Sequence, residues 1–237
     1  MTNGGSAKSL KDENRWQLWL TIALNAVVFY TLVQSSTIAT AGWNGLFTTA
    51  PDLLPVGFAF IVTSIANGLL SANMKTRLVF LRWTHALPGH CAFSHHAPAD
   101  PRVDLGPLRG YLGDKFPVGP EAENKVWYRI FKEVETVTEV NHIHREFLFM
   151  RDYTGFSLLF LVGLGAAALI LVQSWRVALA YCLVLLLQLI VVRHAAATYG
   201  ARFVCTVLAV KSGQLAANSP LSSPGEANRS ACQVADG

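Results

Sequence analysis

Long uncharged apolar runs alternate with charge-bearing stretches along this chain, and run length decides the first question. A helix crossing ~30 Å of hydrocarbon at ~1.5 Å per residue needs about 20 mostly apolar residues. Four runs reach that length: Trp16–Ser36, Leu53–Met74, Tyr153–Gln173 and Ser174–Val192. None carries Lys, Arg, Asp or Glu well inside it; Asp52, Asp152, Arg176 and Arg193 sit at the ends, where side chains reach head groups. Trp16, Trp19, Trp43, Tyr153 and Trp175 take the interfacial positions that amphipathic rings prefer. A soluble core helix of this length needs a polar stripe, which these runs lack. The pattern predicts an all-α integral membrane protein, a four-span bundle with a small, mainly helical cytoplasmic domain between spans two and three.

The segments between the runs complete the plan. Residues 1–15 read as an N-terminal cytoplasmic segment and 37–52 as an extracytoplasmic loop. Ala39-Thr40-Ala41 has the form of a signal-peptidase site, but the apolar run before it is longer than a signal peptide's, which favours a retained anchor. Residues 75–152 form the cytoplasmic domain, 193–211 a juxtamembrane segment and 212–237 a tail. That tail of Ser, Ala, Asn, Gly and Pro offers too little apolar surface to offset ordering entropy and is expected to be disordered.

Within the cytoplasmic domain, span two is expected to continue as helix to Leu87, where Pro88-Gly89 stops it. Gly89–Pro120 reads as loop with short helices, in which Asp100, Asp104 and Asp114 suit capping roles. Pro120 opens an amphipathic helix with Ala122, Val126, Trp127, Ile130, Phe131 and Val134 on one stripe. Thr136 and Glu139 match a capping box, from which a helix is expected to run from Val137 into span three. The domain is small for independent folding, so contacts to these helical extensions are expected.

Composition supports the lipid reading. The 237 residues are 52% hydrophobic and only 14% charged, against about 25% charged in soluble domains. Placement of charge sets the orientation. Eleven basic residues lie near the ends of spans on the side of the termini and the central domain, against Arg176 alone on the other. The positive-inside rule then puts both termini and the domain in the cytoplasm, with the cell inner membrane as the expected location. The formal charge of +4 resides in those flanks. Residues 75–152 hold 11 basic and 10 acidic groups and offer no basic face for nucleic acid. Expected partners are therefore the bilayer and a cytoplasmic protein or small-ligand signal.

Candidate chemistry is sparse. Asn25, Asn67 and Gln188 are the polar residues of the spans, placed to hydrogen-bond across helices or to line a narrow pore. Ser64 with Gly68, and Gly163 with Ala167, form small-xxx-small pairs suited to helix packing or a homo-oligomer. His85, His90, His95, His96, His142 and His144 gather in the cytoplasmic domain, with Cys91 among them. His85-x4-His90 and His90-x4-His95-His96 loosely resemble the histidine boxes of the membrane fatty-acid desaturases and hydroxylases, which hold two irons. That family uses more histidines than the seven present; Pro88-Gly89 interrupts the first pair and no third box follows the last span, so membership is not inferred. A zinc or iron site drawn from His85, His90, Cys91, His95 and His96 is the alternative chemistry. Cys91, Cys182, Cys205 and Cys232 show no CxxC spacing, and no P-loop, GxSxG, HExxH or GxGxxG occurs. The leading expectation is a non-enzymatic, cofactor-free sensor, effector or partner-binding module whose cytoplasmic domain controls the bundle. A metal-dependent membrane enzyme and a small channel or carrier subunit are the alternatives.

Overall fold

The computed structural model of the chain describes residues 15–40, 61–62 and 64–218, which are helical nearly throughout and contain no strand. Six helices of eight residues or more have defined ends: α1 (Arg15–Val33), α2 (Ala72–Phe80), α3 (Leu105–Leu112), α4 (Pro120–Val134), α5 (Thr138–Leu171) and α6 (Trp175–Asn218). Three of these, α1, α5 and α6, are long and apolar enough to cross a membrane. Leu24, Val27, Leu169, Ile170, Leu183, Leu187 and Val191 lie exposed on them, a surface that suits lipid and not water. The start of span two, the outer loop beyond Thr40 with Trp43 and Asp52, the first 14 residues and the tail beyond Asn218 lie outside the described residues.

Several boundaries differ from the sequence expectation. Span two does not run on as one helix through Leu87. Residues 64–69 are helical, the chain bends at Leu70, and Ser71 restarts it as an N-cap whose hydroxyl accepts from the Met74 N–H at 3.2 Å. α2 then stops at Leu81, which is left-handed (φ 50°), well before Pro88. The guanidinium of Arg193 donates to the Val79 carbonyl at 3.2 Å, supplying one partner to the carbonyls that a helix end leaves over. By contrast α5 does run unbroken from Thr138 to Leu171, starting one residue after the expected Val137.

The largest departure is at the other end. α6 continues 26 residues past the expected stop at Val192, through the juxtamembrane segment and seven residues into the segment read as a disordered tail. At ~1.5 Å per residue this 44-residue helix is about 66 Å long, roughly twice a hydrocarbon layer. Phe203, Val204, Val207, Leu208 and Ser212 are buried, so packing of one helical face holds the extension in place of intrinsic propensity.

The chain divides into two compact units. The first comprises Met1–Leu87 with His142–Gly200, the second Pro88–Asn141 with Ala201–Gly237. The expected 75–152 domain thus yields its two ends to the first unit, and the second gains the end of α6. In the first unit α1, α5 and α6 close on a core of Ile22, Phe29, Phe156, Phe160, Leu164, Ala168, Tyr181 and Leu185. Ala167 packs at its edge as a small residue should. A Cβ on Gly68 or Gly163 would meet nothing within 4 Å among the described residues. The close approaches occur at other glycines. A Cβ on Gly200 would sit 2.7 Å from the ring of Phe80 and 3.0 Å from that of Phe147.

In the second unit α4 presents Trp127, Ile130, Phe131 and Val134 inward, as its stripe predicted. Trp127 stacks on Phe131 at 5.8 Å, and Phe203 of α6 meets both rings edge-on at 5.2 Å. Asp104 caps α3 by accepting from the Gly106 N–H at 2.8 Å. Phe203→Ala should cost about 3–5 kcal/mol by opening this aromatic cluster, read as a lowered thermal midpoint in detergent. Gly200→Ala should cost about 1–3 kcal/mol through overpacking, whereas Gly163→Ala should be neutral or stabilising by up to about 1 kcal/mol. Equal responses at the two glycines in the same melting assay would contradict the packing described.

Candidate functional site

The charges missing from the span interiors reappear where the ends of spans meet. Lys75 follows the Ser71 cap in the first turns of α2, and Asp152 lies where the apolar part of α5 begins. Lys75 Nζ stands 3.1 Å from Asp152 Oδ1, and the two side chains are only 8% and 10% exposed. Arg151 Nη2 approaches the same oxygen at 3.4 Å. Removing a carboxylate and an ammonium from water costs several kcal/mol each, which mutual attraction offsets only with good geometry. Such a pair contributes little net stability, and it lies beside a cavity.

That cavity, of about 620 Å³, is walled by Leu18, Trp19 and Ile22 of α1, by Ile61, Ser64, Ile65, Asn67 and Gly68, and by Phe156, Lys75 and Asp152. Asn67 is 5% exposed, and its Oδ1 accepts no hydrogen bond among the described residues. It lies so close to α5 that a Cβ on Gly155 would come within 2.5 Å of that oxygen. Glycine at 155 is what lets the carboxamide reach the helix backbone. An ammonium, a carboxylate and a carboxamide thus border one cavity of mainly apolar lining.

The other two intramembrane polar residues do not join this site. Asn25 donates to the Thr21 carbonyl of its own helix at 2.9 Å. Gln188 bridges helices, its Nε2 donating to the Tyr153 hydroxyl at 3.1 Å. Ser64 does line the cavity, as does Gly68, so the pair expected at a helix contact borders open volume.

The metal alternative gains no geometric support. Among the described residues no three His, Cys, Asp or Glu side chains converge on one point. His85 is exposed in a left-handed turn (φ 52°), and His90 and Cys91 occupy a single 3₁₀ turn, Pro88–Cys91. His95 and His96 follow on a wide π-type turn with rings 5.3 Å apart. His96 contributes its backbone instead, its carbonyl accepting from Cys205 Sγ at 3.7 Å. Cys205 lies 13 residues past the expected end of span four. Burial pushes its thiol up to about 11, so it stays protonated and packs as a small hydrophobe. Nearby, Arg102 donates to Asp100 at 2.7 Å and holds that carboxyl well below the usual carboxylate range.

What organises this histidine segment is a carboxylate. Glu123 falls on the buried face of α4, 4% exposed, and accepts from the Phe93 and Ser94 N–H groups at 2.8 and 3.0 Å. By charge alone, Glu123 in the first turn of α4 suits the positive end of the helix and gives no sign of this contact. Lys75 and Asp152 were likewise visible only as span-flanking charges. A signal for their pairing did exist: a basic residue ending one apolar run and an acid opening another reach the same level when the spans are antiparallel.

Asp152→Asn should remove the carboxylate that the buried Lys75 ammonium meets at 3.1 Å, at a cost of about 3–5 kcal/mol. Lys75→Met combined with Asp152→Leu should recover most of that loss, since neither charge then remains. Thermal unfolding of the detergent-solubilised variants reads both; a double variant no better than Asp152→Asn would show that the pair is not the cause.

Comparison with protein-family models, with curated proteins and with solved structures finds no match to this chain.

Proposed function

We propose that this chain is a non-enzymatic membrane effector of the inner membrane in which a cytoplasmic helical domain controls the polarity of a path through the bundle. The observation that carries the reading is the buried Lys75–Asp152 pair beside the cavity holding Asn67. Ionisable groups inside apolar bundles are expensive and mark ion, proton or solute pathways more often than they stabilise. The pair is the natural gate: closed while Lys75 neutralises Asp152, open when the carboxylate turns to another cation.

Control is assigned to the second unit because α5 and α6 each contribute residues to both units without a break in the helix. A protein partner or small ligand taken up by that unit would act on the gate by favouring one of two arrangements. Both termini face the cytoplasm in this proposal, following the basic flanks. Association of copies belongs to the same proposal, with Gly163 facing open space on α5. The carrier alternative draws on the same cavity and differs only in whether the path opens to both sides at once.

Full-length protein reconstituted in vesicles with a trapped pH-sensitive or potential-sensitive dye tests the reading. The Lys75→Met/Asp152→Leu variant should change ion or proton leak at least tenfold relative to the natural chain. Asn67→Ala should change it as well, while Asn25→Ala should leave it unaltered. Gradients held equally by the natural chain and all three variants would remove the effector and carrier readings together.

A further inference from the structure

Two cations address one oxygen of Asp152. Lys75 Nζ lies 3.1 Å from Oδ1 and Arg151 Nη2 lies 3.4 Å from the same atom, so Oδ2 is the oxygen left to take a proton. Among the described residues the charged groups facing this carboxylate are Lys75 of α2 and its own neighbour on α5, Arg151. α1 and residues 61–68 contribute no titratable group to the cavity beside it. From α6, Gln188 meets Tyr153, one residue along α5, and carries no charge.

The ammonium has a second acceptor close by. Asn67 is buried, and its Oδ1 takes no hydrogen bond among the described residues. An acceptor left in this state is costly in an apolar interior and calls for a donor in some state of the protein. A Cβ built on Gly155 would lie 2.5 Å from that oxygen and 3.7 Å from Cε of Lys75, so the carboxamide and the lysine converge on one point of α5. Glycine keeps that point clear. Rotation about the terminal bonds of the lysine side chain can carry Nζ from Asp152 toward Asn67.

We propose that this site is a proton switch: a proton from solvent forms an O–H bond at Asp152 Oδ2, and the Lys75 ammonium, keeping its own protons, moves from Asp152 to Asn67 Oδ1. Protonation removes the negative charge that held Lys75, and a buried ammonium needs another acceptor. Asn67 supplies it. The site then carries one more unit of positive charge, and the ion pair that joined α2 to α5 is gone. A metal cation suits the lining less well. Ser64, Asn67 and Asp152 are the oxygen-bearing side chains of the cavity, fewer than a hard cation takes, and an ammonium already stands at the carboxylate. A proton needs one lone pair. It is then the species to which the proposed gate responds, so this assignment rests on the gate reading.

Solid-state NMR of the full-length chain in lipid vesicles tests it, with isotopic labels at lysine Nζ and at the side-chain carbonyl carbon of aspartate or of asparagine. Lys132 and Lys211 pair with glutamates, so the aspartate label singles out Lys75. A lysine–aspartate dipolar coupling should be present at neutral pH. On acidification, within the range where the chain keeps its helical circular dichroism, that coupling should be lost as the Asp152 carbon shift becomes that of a neutral acid. A lysine–asparagine coupling should appear in its place. Asp152→Glu keeps a carboxylate without the label and should remove the first signal; Asn67→Gln should likewise remove the second, with Asn67→Ala as its substitute if the longer side chain is not tolerated. A lysine–aspartate coupling that persists once the carbon has shifted would overturn the switch. So would an Asp152 carbon that never shifts, or a lysine–asparagine coupling indifferent to residue 67. Dye-loaded vesicles of the same preparation read leak separately: exchange of couplings without leak removes the gate reading alone, and leak without exchange removes the proton switch alone.

Discussion

Desolvation of charge in an apolar bundle is the constraint on which this molecule turns. α1, α5 and α6 present leucine, valine and isoleucine outward, so any ionisable group drawn among them must bring its own partner. Lys75 and Asp152 meet that condition by closing to 3.1 Å. Their positions require three local devices. The Ser71 cap starts α2 so that Lys75 falls near its beginning, and Gly155 lets Asn67 lie against α5. Arg151 adds a second cation at the same carboxylate oxygen. None of these is needed simply to hold helices together, since the aromatic and aliphatic core does that.

The second unit solves a different problem. Its chain from Pro88 to Lys115 consists of single turns and short helices, which cannot bury enough apolar surface alone. It borrows that surface from α4 and from the C-terminal part of α6, where Phe203 meets the stacked rings of Trp127 and Phe131 edge-on. Its polar backbone is satisfied by side chains instead of by a regular ladder: Glu123 takes two N–H groups, Asp104 one, and the His96 carbonyl takes the Cys205 thiol. His90, His95 and His96 sit within this scaffold as residues of tight turns, while His142 and His144 lie on α5.

Much of the fold was legible before any coordinates. The membrane class follows from runs of twenty uncharged residues, because no soluble helix survives without a polar face. The stripe of α4 was readable at helical spacing, and so was the start of α5 near Thr138. The extension of α6 was half-legible: Phe203, Val204, Val207 and Leu208 recur at helical spacing, yet the composition of the segment after Ser212 suggested disorder. Its helix exists because a partner surface comes from residues some 70 positions earlier, which no local window contains.

Apolar run length and the placement of lysine and arginine determined, by themselves, that this chain suits a membrane and which way it is expected to face. They act through solvent transfer free energies, which each residue carries wherever it goes. Tertiary structure alone decided that Lys75 would find Asp152 across 77 residues, and that Gly155 and Gly200 would be sites of close approach. Pair energies depend on distance and on the dielectric around both partners, and those quantities arise only once helices have packed.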